Sequence, residues 1–140
     1  MLLASAMAGI AFNATRLGLV HAFALPLGNK FGIPHSFANA IMLPPVVAYN
    51  APANLDGYAR VAALLEPVKP AAAHDAAGIV ARLRADIGIA QTLADFGVTE
   101  AHFEQIVDEA LLSGNVAVNP RAPSREDMFG LLRHRMAGTF

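Results

Sequence analysis

The chain has 140 residues, of which 55% are hydrophobic and 15% charged, and a formal net charge of −1. That length suffices for one domain with a real core; the charge balance leaves no basic footprint for nucleic acid; the absence of cysteine excludes disulfides and thiolate metal sites and fits a reducing, cytoplasmic setting. Charged residues usually make up about a quarter of a soluble domain, so this chain either enters a membrane or buries apolar surface against something outside it.

In chain order the sequence reads as helices. Met1 to Ala24 has no proline and is rich in Ala, Leu and Met, which favours one long helix. Its apolar residues cover nearly the whole circumference, the pattern of a helix buried on all sides. It starts without a cap or polar lead-in, as if inside an element. It has no positive region before its apolar stretch, since Arg16 follows that stretch, and so is not a secretory signal. Pro26 and Gly28 are expected to end this first helical region, with Gly28-Asn29-Lys30 a turn and not a phosphate loop.

Pro34 precedes a second helix, with His35 or Ser36 at its start, running towards Asn50 with a kink at Pro44-Pro45. Residues 31–55 lack Asp, Glu, Lys and Arg, but Pro34, Pro44, Pro45, Pro52, Asn39, Asn50 and Asn54 within them argue against a membrane span. Asn54 to Leu65 is a third, amphipathic helix. "EPVKPAAAHD" is a connector, and Asp75 is expected to cap a helix to about Ile87. "TLADFGVT" holds a short turn and a break at Gly97. Thr99 caps a helix to about Leu112, stopped by Ser113-Gly114-Asn115. Ser124 caps the last one, with Glu126 and Asp127 in its first turn and Arg133, His134 and Arg135 in its last, an order that suits the helix dipole. No alternating pattern is longer than "NVAVN". The expected fold is all-α, a helical bundle without a sheet.

Two histidines, His21 and His35, stand fourteen positions apart in an apolar, Pro/Gly-rich stretch. A chain reversing between Pro26 and Pro34 can bring them together. Neutral imidazole is a ligand for iron and zinc, and a site inside a helical bundle needs such groups facing inward. Two ligands do not complete such a site. From spacing alone the metal signal is weak, and a hydrogen-bonded core histidine at each position is the favoured reading.

The residues around them carry more. "AGIAFNATRLGLVHAFALPLGNKFGIPHSFANAIMLPPVVAYN" resembles the signature region of the iron-containing (group III) alcohol dehydrogenases, through Ala8-Gly9, Phe12-Asn13, Gly18, Val20-His21, Pro26-Leu27-Gly28, Pro34-His35, Ala38-Asn39-Ala40, Leu43-Pro44 and Asn50. "LADFGVTEAHF" and "NPRAPSREDMFGLL" extend the likeness over nearly the whole chain. The resemblance implies that residues 1–140 form part of a C-terminal all-helical domain of the dehydroquinate-synthase-like kind. An N-terminal dinucleotide-binding domain then lies outside the chain and binds most of NAD(P). It implies a centre of one Asp and three His on Fe2+ or Zn2+, with His21 and His35 as the third and fourth ligands. Phe12 and Leu25 then line the cofactor-side pocket, a small alcohol or aldehyde is the substrate, and the whole is a homo-oligomer. The metal acts as a Lewis acid on the substrate oxygen while hydride passes between carbon and nicotinamide. On this account the fragment alone is inactive, no side chain of its own is catalytic, and the missing domain explains the high apolar content.

The sequence also departs from the family pattern. Leu25 stands where many members carry a further His on the face of the first ligand; Ser36 replaces a usual Gly; Pro45 replaces a frequent His. Phe12 is also an ordinary core residue by type, and Asn39 reads as a buried amide tying down the turn around His35. His74, His102 and His134 are expected in solvent, and Glu104, Asp108 and Glu109 on a polar face. Two alternatives stay open: a non-catalytic helical interaction module without metal, and a maleylacetate- or semialdehyde-type reductase of the same superfamily.

Overall fold

Burial, more than capping, starts the two helices that matter most. The computed structural model describes residues 2–67 and 72–136. Helix α1 spans Leu2–Asn13, α2 Leu19–Phe31 and α3 His35–Asn50. The residues preceding α2 and α3, Gly18 and Pro34, offer no side-chain cap. What α2 and α3 have instead is apolar surface. Leu19, Ala22, Phe23 and Leu27 of α2 and Ala38, Ile41 and Met42 of α3 are all but sealed from solvent. At about 1.5–3 kcal/mol for each large side chain, burial outweighs the lost caps.

The remaining helices wrap this pair. α4 (Leu55–Leu65), α5 (Asp75–Asp86), α6 (Phe103–Leu111), the short α7 (Gly114–Ala117) and α8 (Arg125–Met136) follow, with 3₁₀ turns at Ala51–Ala53, Ala94–Phe96 and Glu100–His102. α6 lies on α2, α8 and α5 lie on α3, and α4 packs on α5. The main core joins α2, α3, α6 and α8 with Leu93 and Val98. A smaller one joins Val47 to Ala62, Ala76, Ala77 and Ile79. There is no strand among the described residues, and the all-α expectation holds. "NVAVN" lies in and after α7, and no described helix is long and apolar enough to cross a membrane.

Several local expectations need correction. The first helical region is two helices, divided at Ala14–Gly18, where Arg16 takes φ 63° and Gly18 φ 73°. Gly18 is required there: with ψ −164° its backbone lies outside what L side chains adopt, and a Cβ would stand 3.1 Å from Asn119 Oδ1. α2 does not end at Pro26 and Gly28. It runs through both to Gly32, whose left-handed φ of 64° closes it with an N–H bond to the Gly28 carbonyl at 3.0 Å. Packing of Phe23 and Leu27 overrides the proline penalty of about 3 kcal/mol. α1 is apolar as read but has no buried residue; Leu2 is 90% exposed and Ile10 77%. Asp75 sits in the first turn of α5 and accepts from the Ala72 N–H at 2.7 Å, so it braces the preceding loop without capping the helix. Ser113 does close α6, but Gly114 and Asn115 then open α7, with the Ser113 hydroxyl accepting from the Asn115 N–H at 3.3 Å.

The caps read at Thr99 and Ser124 are present, and Asn54, read only as the start of its helix, caps it as well. Asn54 Oδ1 accepts from Gly57 N–H at 3.0 Å; Thr99 pairs reciprocally with His102; Ser124 pairs reciprocally with Asp127. Of the connector, Val68 to Ala71 lie outside the described residues.

One polar knot ties the start of α2 to the end of α3. Buried Asn119 accepts at Oδ1 from the Leu19 N–H (3.1 Å) and from Asn50 Nδ2 (3.1 Å). Its Nδ2 donates to Asn50 Oδ1 (2.7 Å) and to the Arg121 carbonyl (2.7 Å). Asn119→Ala strands the Leu19 N–H, the Asn50 amide and the Arg121 carbonyl together. At about 1–3 kcal/mol for an unsatisfied buried group, partly relieved by water, we expect a loss of about 3 kcal/mol in urea unfolding followed by far-UV circular dichroism. A loss below about 1 kcal/mol would show that the knot does not secure the pair.

Candidate metal centre

α2 carries His21 in its first turn, half-buried; α3 opens at His35, exposed. Between them the left-handed Gly32 and the extended Pro34 (φ −54°, ψ 139°) redirect the chain. The structure brings the two rings together, with centroids 5.2 Å apart and planes inclined at 53°. An imidazole nitrogen lies about 2.0–2.1 Å from zinc, which puts each ring centre about 3 Å from the ion and two rings at a tetrahedral angle about 5 Å apart. The centroid separation matches that of two rings on one such ion.

Burial, and secondarily the neighbouring His35, lower the His21 pKa from its ordinary value of 6.5. His21 is thereby kept neutral, the form that ligates. Asn39, one turn beyond His35, places its Nδ2 3.2 Å from His21 Nε2. This contact was not legible as such: the expectation tied Asn39 to the turn around His35, whereas the amide reaches across to the other helix. His21 Nδ1 and Asn39 Oδ1 are buried without a hydrogen-bond partner. Among the described residues no group of three or more His, Asp or Glu side chains is placed to hold an ion.

The other sequence candidates fall around this pair or away from it. Leu25 is one helical turn beyond His21 and 58% exposed; Phe12, in the last turn of α1, is 45% exposed. Ser36 is exposed beside His35, whereas Pro45 is buried in the interior of the bundle. His74 is in solvent as expected. His102 is only half so, since it caps at Thr99 and meets the Phe31 ring edge-on at 5.0 Å. Glu104 and Asp108 form a polar face bridged by Arg125 (2.5 and 2.7 Å). Gly28-Asn29-Lys30 is the last turn of α2 and not a separate turn, and Lys30 pairs with Glu109. A separate cleft of about 370 Å³, lined by Arg16, Val20, Leu43, Asn50, Tyr58 and Pro120 among others, adjoins the start of α2 but does not include the two histidines.

Comparison with known proteins places this architecture. Residues 1–136 match the profile of the Fe-containing alcohol dehydrogenase family, C-terminal. The chain is 42% identical over 138 residues to 1,3-propanediol dehydrogenase of Citrobacter freundii, covering 95% of this chain and 36% of that enzyme. It is 36% identical over 136 residues to lactaldehyde reductase of Escherichia coli (strain K12), covering 94% of this chain and 36% of that enzyme. The fold superposes on the crystal structure of a 1,3-propanediol oxidoreductase with a TM-score of 0.84 at 40% identity, over 91% of this chain and 35% of the other. An all-helical bundle carrying paired imidazoles is thus the C-terminal part of an oxidoreductase fold. The chain belongs to the Fe-containing alcohol dehydrogenase family, and spans about a third of the length of the relatives it matches.

The causes of the His21 shift can be separated by NMR titration of the metal-free chain. His21 should titrate below free imidazole. In His35→Ala its pKa should rise only part of the way back, because the neighbouring ring is the smaller cause and burial the larger. Full recovery in that variant would mean that burial contributes little.

Proposed function

We propose that the chain is a segment of a metal-dependent, NAD(P)-linked alcohol dehydrogenase or aldehyde reductase, in which His21 and His35 supply two of the ligands to Fe2+ or Zn2+. The observation that carries this reading is the 5.2 Å approach of two imidazoles from different helices, one of them kept neutral by burial. The remaining ligands and the dinucleotide-binding domain come from polypeptide outside these 140 residues, and the uncovered apolar surface of α1 is available to pack against it. The assembled enzyme is a cytoplasmic homo-oligomer on this reading.

The bound ion supplies Lewis acidity towards an alcohol or carbonyl oxygen. The chain's own part is to hold two neutral donors in register without cancelling the ion's charge, and to keep water away. Leu25 and Phe12 present apolar surface for the latter purpose. Small alcohols and aldehydes are the substrate class, with 1,3-propanediol and lactaldehyde, named for the two relatives, the first to assay.

In the complete polypeptide, His21→Ala and His35→Ala should each remove most bound metal by elemental analysis. Each should also lower turnover by more than about 100-fold, since loss of a ligand exceeds the 10–100-fold cost of disturbing an outer partner. The 140-residue chain alone should show no turnover. Metal retained at full stoichiometry in both variants would assign the ion to other residues.

A further inference from the structure

The exposed arginines Arg82, Arg121, Arg125 and Arg133 each pair with a carboxylate. Two arginines drawn into the protein do not. Arg135, in the last turn of α8, is 1% exposed, and Arg84, in the last turn of α5, is half-buried. Residues 91–93 hold them together: Arg84 Nη2 donates to the Gln91 carbonyl, and the Leu93 N–H donates to the Arg135 carbonyl at 3.2 Å. Burial first, and then the nearby Arg84, lower the pKa of Arg135 to about 10, which still leaves it charged at neutral pH. Among the described residues no carboxylate acts on either guanidinium. The Nε of each is buried without a hydrogen-bond partner, and so is Gln91 Oε1.

We propose that Arg84 and Arg135 form a binding site for a small oxyanion of the phosphate class, seated between the ends of α5 and α8 and residues 91–93. A buried cation without a counter-charge is costly, and two side by side also repel each other. An anion that accepts from both Nε–H groups removes both penalties through charge-assisted hydrogen bonds, and the planar guanidinium fork matches phosphate oxygens. Charge selects among oxyanions. A phosphoryl group carries roughly −1.5 to −2 at pH 7 and balances both cations, whereas one carboxylate leaves a positive charge over. Size selects as well. Arg135 is nearly sealed, so the ion enters beside the half-buried Arg84, which favours the bare ion over an organic ester. The site makes no use of His21 or His35.

Calorimetric titration of the 140-residue chain with sodium phosphate at neutral pH, with ionic strength held by chloride, should show saturable binding. Thermal unfolding followed by circular dichroism should show the melting temperature rising with phosphate. Acetate should bind roughly tenfold or more weakly. Arg84→Met and Arg135→Met should each abolish the binding and the rise, while Arg82→Met, which removes an exposed paired arginine, should leave both unchanged. Arg135→Lys keeps the charge without the fork and should bind roughly tenfold more weakly. In phosphate-free buffer Arg135→Met should be at least as stable as the wild type, because an apolar side chain replaces an unpaired buried charge. A marked loss of stability there would mean that the guanidinium already has a partner inside the chain, and overturns the proposal. So would the lack of saturable binding, or acetate binding as tightly as phosphate. Binding that survives both methionine variants would be that of an adventitious ion only, and overturns it too. Methyl phosphate separates the sources of the oxyanion: weaker binding than inorganic phosphate assigns the site to the free ion, and equal binding assigns it to a phosphoryl group on a larger ligand.

Discussion

Keeping two imidazoles 5.2 Å apart requires that the helices carrying them do not slide, and in this chain that constraint falls on the packing of α2 against α3. Neither helix has a side-chain cap to fix its start. Their register is set by interlocking small and large residues, Ala22 and Ala38 with Phe23, Leu27, Ile41 and Met42, at essentially no exposure. A core of that kind is intolerant of displacement by even part of a methylene. The Asn50–Asn119 pair then fixes where α2 begins, through the Leu19 N–H two residues before His21. Gly18 is glycine because its backbone takes φ 73° and ψ −164°, and the knot crowds a Cβ there to 3.1 Å.

The same packing sets the electrostatics. Partial burial of His21 and the nearby His35 both disfavour the imidazolium. A charged pair in that position would repel itself and repel a cation; a neutral pair does neither. The apolar surroundings that puzzle at the level of composition thus have a local effect, because burial favours the neutral form of His21.

Much of this was legible in the sequence, because the signals involved are short-range. Caps at Thr99 and Ser124 are set by a few adjacent residues. The family likeness around His21 and His35 likewise rests on contiguous motifs. The failures have a common physical source: each needed tertiary information. Pro26 reads as a breaker, yet Phe23 and Leu27 are buried on either side of it and carry the helix through. Arg135 reads as a cation placed for the helix dipole. It is instead 1% exposed, with its pKa lowered to about 10 first by burial and then by Arg84, and its backbone carbonyl accepts from the Leu93 N–H at 3.2 Å. Asn39 reads as a local brace and instead reaches the other helix. The break at Ala14–Gly18 follows from Asn119, about a hundred residues away in sequence, which no local pattern reports.

The departures from the family pattern separate once they are placed in the fold. Pro45 lies buried inside α3, so a histidine there would need its own polar partner within the core; proline at that point is a matter of packing. Leu25 and Ser36 are different, since both are exposed next to the paired imidazoles. With leucine one turn beyond His21, the surface flanking that ring on α2 carries no proton-transferring group. With Leu25 at that position, Asn39 is a polar side chain in direct contact with His21.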